Sequence, residues 1–393
     1  MGFEDTLTTQ YTTSSVFPSD DWQVATPEEQ GMNGTILDEM IQQIAGEGYL
    51  IDSVVIGRNG YLVLEHYPNP LYDADNLHSV YSVTKSITSA LVGIAKDQGL
   101  IESIDQRVLD FFPERTIQNL DERKENMTIK HLLTMTSGFQ WDEWDVDYTH
   151  PDNDYYQLWY ELDPIQFMLD LPMVAEPGDE WVYCSGASHL LSAIINKTSG
   201  MSTLEFAREY LFLPIGINHF YWSYDNNGLH YGGHGLNLGP RDMARFGLLY
   251  LNNGSWNGQQ IISPDWISAS TNTSVFLSSD VGYAFQWWTY PEANIARAAG
   301  YRGQKIYVIP DYDLVVVFTA SISNGPNPQD SWISEYIIPS ILQYTELPET
   351  TETTGTSGGT TLSEPNYLFA VASVGLVVPL ALVLLALHRK RKS

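Results

Sequence analysis

The sequence predicts an α+β fold: an antiparallel sheet assembled from N- and C-terminal segments and flanked by helices, with a helical lobe inserted between them and a transmembrane helix at the C-terminus. Three observations predict it. β-rich runs flank Asn59-Gly60 near one end and recur between residues 283 and 320. Helix-period patterns fill the interval between them. An uncharged stretch of 21 residues, Tyr367 to Leu387, follows a polar tract. Strands at both ends with helices between require the two ends to meet in one sheet.

IDSVVIGRNGYLVLEHY (51–67) is two β-branched runs joined by Asn-Gly, the dipeptide that best fits a two-residue hairpin turn. YAFQWWTY, ARAAGYRGQKIYVIP and DLVVVFTA supply three more strands over 283–320. Helices are expected over SITSALVGIAKDQG, IKHLLTMTSG, SHLLSAIINKTSG and PRDMARFGLLYLNNG, each of which ends in glycine, a common helix terminator. SWISEYIIPSILQY (331–344) reads as a closing helix. The domain boundaries follow: an N-terminal extension over 1–21, a globular domain over 22–344, a Thr/Ser/Gly-rich stalk over 345–366, the membrane helix over 367–387 and a basic tail over 388–393.

At 393 residues and 43% hydrophobic, the chain can bury a large core. Its formal charge is −29, and four of its 19 basic residues (Arg389, Lys390, Arg391 and Lys392) crowd the last five positions. So acidic a surface repels phosphate backbones, which excludes nucleic acid as a partner. The single cysteine, Cys184, allows no internal disulfide and leaves the redox compartment open. The apolar run is long enough to cross a bilayer, and the basic tail places it inside-facing, so a single-pass protein with its globular domain outside is expected. Five Asn-x-Ser/Thr sequons (Asn33, Asn126, Asn196, Asn253 and Asn272) fit that placement. The N-terminus carries neither a basic nor an apolar leader segment, which points to a truncated start or to a tail anchor.

Three short constellations could carry chemistry. In HSVYSVTKSITSALVGI (78–94), Ser82 and Lys85 are three apart and share a helix face. A lysine held away from water loses its proton more readily and can then take one from a serine at the positive end of the helix dipole. The alternative is a snorkelling helix lysine. In Tyr183-Cys184-Ser185, a tyrosine precedes a glycine-containing turn into an apolar helix; near an ammonium its phenolate would be stabilised, which suits a general base or acid. In Ala298-Ala299-Gly300-Tyr301-Arg302-Gly303-Gln304, glycines inside a strand pattern suggest close backbone approach and an N–H for an oxyanion, or else a bulge.

Together these residues resemble the serine β-lactamase-like superfamily, in particular its branch of penicillin-binding-protein-like esterases, class C β-lactamases and 6-aminohexanoate-oligomer hydrolases. Ser-Val-Thr-Lys stands for the S-x-x-K motif, Tyr-Cys-Ser for Y-x-N, and Ala-Ala-Gly for K-T-G or H-T-G, in the same order and with similar spacing. MTIKHLLTMTSGF, ARFGLLYLNNGSW and YVIPDYDLVVV agree as well, and the resemblance covers about residues 22 to 344. It implies that Ser82 is acylated, that Lys85 assists its deprotonation and that Tyr183 shuttles the proton to the leaving group and then activates water. It also implies an oxyanion hole from the backbone N–H groups of Ser82 and Tyr301, and neither metal nor organic cofactor. Ser185, Gly300, Arg302 and Trp141 are expected to contact substrate. Trp141, Asp142, Glu143 and Trp144, together with Tyr155, Tyr156 and Trp159, line the cleft or else form an aromatic-rich surface or core of the lobe.

Two departures narrow the function. Ala298 stands where relatives acting on penicillins or peptidoglycan carry a cation for the substrate carboxylate, and Arg302 is the nearest substitute in sequence. Ser185 replaces the usual asparagine. The expected activity is hydrolysis of a small ester or amide through an acyl-enzyme. The alternatives are a D,D-peptidase or β-lactamase of the same fold, and a non-catalytic stalked binding domain.

Overall fold

The computed structural model describes residues 16–345, apart from residue 20 and residues 324–326. Among the described residues, an eight-stranded sheet comprises β1 (Ile51–Arg58), β2 (Tyr61–His66), β3 (Val275–Phe276), β4 (Gly282–Tyr283), β5 (Trp288–Tyr290), β6 (Ile295–Gly300), β7 (Gln304–Ile309) and β8 (Leu314–Ala320). Their order is β2-β1-β8-β7-β6-β5-β4-β3, antiparallel throughout. The N-terminal hairpin thus joins the C-terminal strands edge to edge, with Val54 opposite Phe318 and Ile56 opposite Val316. Asn59 and Gly60 both take positive φ (52° and 83°), the turn geometry whose twist matches the flanking strands.

Among the described residues, four helices run to twelve residues or more: α1 (Gly34–Glu47), α2 (Val83–Asp97), α3 (Ser185–Ser199) and α4 (Pro240–Leu251). Alternation along the central strands builds a core on each face of the sheet. Val54, Ile56, Val316 and Phe318 pack with α1 and the closing helical segment Gln329–Thr345. Val55, Val315 and Val317 face α2, α4 and the inserted lobe. Every residue of α2 from Val83 to Ala95 is buried between sheet and lobe, so its first turn lies at their junction.

Three strand and helix expectations change in detail. ARAAGYRGQKIYVIP is two paired strands, β6 and β7, joined by a turn at Tyr301–Gly303. YAFQWWTY is not one strand: β4 and β5 are separated by Ala284–Trp287, where Gln286 adopts φ 64° and its amide is held by the Leu132 and Leu133 carbonyls. IKHLLTMTSG is helical only over Ile129–Leu133, because Met135 takes the left-handed conformation (φ 60°).

The membrane expectation is corrected. Among the described residues no helix is long and apolar enough to cross a bilayer. The longest, α2 and α3, have 15 residues each, about 22 Å against the roughly 30 Å of a hydrocarbon core. Among the described residues the fold class is the α+β domain without a membrane helix, and they give no support to the expected bilayer contact or single-pass placement. Residues 367–387, with the stalk beyond Thr345 and the tail 388–393, lie outside the described residues, as do residues 1–15 of the N-terminal extension.

Candidate active site

Ser82 precedes the first turn of α2, and Tyr81 before it is left-handed at φ 46°. One turn on, Lys85 is 1% exposed, and its Nζ has three neighbours: Ser82 Oγ at 3.1 Å, Ser185 Oγ at 2.8 Å and the Gly233 carbonyl at 3.0 Å. A carbonyl only accepts, and the Ser185 hydroxyl donates its own proton to Glu143 Oε1 at 2.9 Å. Lys85 must therefore donate to both Gly233 and Ser185. In the neutral amine this leaves the lone pair for the Ser82 hydroxyl.

Glu143 is buried beneath this pair and receives four donors. They are the Ser185 N–H (2.7 Å) and hydroxyl, the Trp141 indole Nε1–H (2.8 Å) and the Tyr148 hydroxyl (3.3 Å). Four donors around two oxygens is the environment of a carboxylate. Burial raises the Glu143 pKa, opposed by Lys85 and these hydrogen bonds. Burial likewise lowers Lys85, to about 8, while the Glu143 charge holds it up. The lysine at the centre of an apolar helix is thus compensated through one intervening serine.

Tyr183 sits between the pair and the cleft. It lines the cleft together with Ser82, and Lys85 Nζ stands 4.7 Å from its ring centroid. The expected stabilised phenolate is not found: burial, then the Glu143 charge, push the pKa up well beyond that of a free tyrosine. At neutral pH Tyr183 is a phenol and a donor, because desolvation outweighs the neighbouring lysine.

β6 completes the site. A Cβ on Gly300 would lie 2.3 Å from the Val80 carbonyl oxygen and 3.2 Å from the Ser82 nitrogen, so only glycine lets the strand pass this close to the start of α2. That approach sets Tyr301, next along the chain, beside Ser82 at the rim of one cleft.

The cleft holds about 530 Å³. Ser82, Tyr183, Ser185, Gly300 and Tyr301 all line it, so five of the predicted residues come together. Trp144, Tyr155, Tyr156 and Trp159 also line it, which resolves their alternatives in favour of a cleft wall. Two predicted contacts lie elsewhere. Trp141 is buried and spends its indole N–H on Glu143. Arg302 turns outward in a left-handed residue (φ 62°), its guanidinium 5.8 Å from the Tyr301 ring and outside the lining. Ala298 is fully buried opposite Ile306, so neither residue offers the cleft a cation. Sequence reasoning missed Glu143 as the lysine's partner, and Tyr148, His234 and Trp288 as lining. The signal available for Glu143 was indirect: a buried lysine demands an anion, but the chain has 48 acids to choose from. No cluster of residues among those described could hold a metal ion.

A helix-borne Ser-x-x-Lys pair, a tyrosine and a glycine strand thus meet at one cleft. The family model described as beta-lactamase matches residues 37–335, and the chain belongs to that family, whose members include esterases, amidases and penicillin-binding-protein-like proteins. The 6-aminohexanoate-dimer hydrolase of Paenarthrobacter ureafaciens is 24% identical over 311 residues, covering 74% of this chain and 76% of that protein. Two solved structures share the fold. The octameric penicillin-binding protein homologue from Pyrococcus abyssi is 22% identical at a TM-score of 0.64, covering 79% of this chain and 77% of that one. A family VIII carboxylesterase is 16% identical, also at 0.64, covering 80% and 98%.

Proposed function

We propose that this protein hydrolyses carboxylic esters or amides through an acyl-enzyme on Ser82. One observation carries the reading: Lys85 Nζ lies 3.1 Å from Ser82 Oγ, with its other two contacts committed as donations. In this mechanism the neutral Lys85 amine takes the Ser82 proton as Oγ attacks the carbonyl carbon. The Ser82 and Tyr301 N–H groups face the oxyanion. The Tyr183 phenol passes its proton to the departing alkoxide or amine and regains one from the Lys85 ammonium, so the pair ends neutral. Water then attacks the ester of Ser82 by the same transfers in reverse. The name of the Paenarthrobacter relative, a hydrolase of an amino-acid dimer, supports amides as well as esters.

The β-lactamase or D,D-peptidase alternative draws no support from the cleft, because Ala298 is in the core and Arg302 points away. A chromogenic cephalosporin turned over as fast as a simple ester would reverse that judgement. A non-catalytic binding domain leaves the relay from Ser82 to Glu143 without purpose. The deciding experiment incubates the protein with 4-nitrophenyl acetate and locates the acyl group by peptide mass spectrometry. An added acetyl mass on the Ser82 peptide, with turnover cut at least about 10³-fold in Ser82→Ala, is expected. Equal turnover by the two proteins would refute the assignment.

A further inference from the structure

Seven tyrosines and three tryptophans supply ten of the sixteen residues lining the cleft, and none of the sixteen is an aspartate, glutamate, lysine or arginine. Trp144, Trp159, Tyr160 and Tyr301 are 39%, 40%, 65% and 42% exposed, although each lines this one cavity. Large aromatic surface left open in a single concavity marks a binding wall. The rings form stacks: Trp144 on Tyr183 with centroids 5.0 Å apart, and Trp159 on His234 at 4.7 Å, with Tyr231 behind at 4.8 Å from Trp159 and within 5° of parallel.

Charge is absent from the walls even where a titratable ring occurs. His234 is buried, and its pKa lies well below the ordinary value because of burial, then the nearby Lys85 and His189. It is therefore neutral in the working range. Lys85 sits below Ser82 with its three Nζ contacts taken up by Gly233, Ser185 and Ser82, and Glu143 beneath balances it. A substrate carboxylate in the cleft would lose its water and meet no cation, a desolvation cost without return.

We propose that the cleft selects uncharged esters or amides bearing a flat aromatic group, which lies against the Trp159 wall while the carbonyl reaches Ser82. This deepens the acyl-enzyme reading above and rests on it for turnover, but not for binding. A planar ring adds to such stacks by offset or edge-on contact, worth about 0.5–1.5 kcal/mol per pair beyond burial. A carboxylated ring gains the same stacking and bears the full desolvation loss. The name 6-aminohexanoate-dimer describes a compound with a charged amine and a carboxylate at its ends, so the selectivity proposed here separates this chain from that relative.

Two measurements test it. The first compares kcat/KM for the ethyl esters of acetic, benzoic and 4-carboxybenzoic acid, each divided by its rate with hydroxide. Benzoate is expected to exceed acetate at least tenfold and 4-carboxybenzoate at least tenfold. Trp159→Ala should raise KM for benzoate at least fivefold more than it raises KM for acetate, while Trp159→Phe keeps most of the preference. The second uses Ser82→Ala and follows tryptophan fluorescence on titration with N-phenylbenzamide, its 4-carboxy derivative and N-methylacetamide. Tightest binding by N-phenylbenzamide supports the proposal even if no ester is turned over, which would instead refute the acyl-enzyme reading alone. Equal normalised rates for acetate and benzoate, a carboxylated compound that reacts or binds as well as its neutral parent, or a Trp159→Ala loss equal for all esters overturns it.

Discussion

Lys85 is buried, and its pKa of about 8 comes from two opposed effects, desolvation lowering it and the Glu143 charge raising it. If the neutral amine is the base, kcat/KM is lost as pH falls through about 8 and is full above it. Glu143→Gln removes the charge that raises the lysine, so the midpoint of that profile should move to lower pH, with a drop in maximal rate of at least about tenfold from the disrupted Ser185 contacts. Glu143 positions rather than reacts: its hydrogen bonds reach Lys85 only through Ser185. A variant slower at every pH with an unmoved midpoint would mean that Glu143 merely packs. The grouping of Ser82, Lys85 and Tyr183, which the structure brings together, was legible in sequence because the expected chemistry demands particular residue types at particular spacings. Glu143 was not, since its link to Ser185 spans 42 residues and depends on how a loop folds over a helix. Trp141 was misread for the same reason: a tryptophan that donates inward and one that faces a ligand look alike in a string of letters.

The closing segment Gln329–Thr345 is tied to the sheet by one carboxylate. Asp330 contacts Arg297 on β6, and Lys305 Nζ (3.0 Å) and the Tyr307 hydroxyl (2.6 Å) on β7. Burial alone would raise the Asp330 carboxyl, but Arg297 and Lys305 hold it far below the usual carboxylate range. Its contribution to stability is therefore full above the ordinary carboxylate pKa near 4 and is lost only as pH falls through that depressed value. Asp330→Asn strands two buried cations, Arg297 at 1% and Lys305 at 6% side-chain exposure, and should cost about 3–5 kcal/mol in urea denaturation at pH 7. A loss below 1 kcal/mol would mean that the cations find water or another partner. The elements themselves were readable where local chemistry is strong: the Asn59-Gly60 turn, the β-branched runs, the glycine that ends α3 (Gly200, φ 69°). The break inside YAFQWWTY was not, because it answers to backbone carbonyls at Leu132 and Leu133, half a chain away.

Over the whole molecule a charge of −29 sets a field that a neutral cleft does not counter. Association of a carboxylated ester should quicken as salt shortens the Debye length from about 30 Å at 0.01 M to about 8 Å at 0.15 M, whereas kcat/KM for a neutral ester stays within twofold. Equal salt dependence for both would place the charge far from the cleft mouth. The meeting of chain ends in one sheet was foreseen from where the strand-forming runs lie, and that topology puts α2, with Ser82 before its first turn, between sheet and lobe. The membrane helix was inferred from apolar length and tail charge, which are properties of residues beyond the described domain.

The compensated burial of Lys85 also has a consequence in time. In an extended chain this amine keeps its ordinary pKa of 10.5, and at pH 7 about one molecule in 3,000 carries it uncharged; in the finished fold, at about 8, roughly one in ten does. The supply of base beside Ser82 therefore grows some 300-fold, and only once α2, α3 and the Glu143 loop have closed around it. On the reading proposed above, acylation of Ser82 would therefore report completed folding.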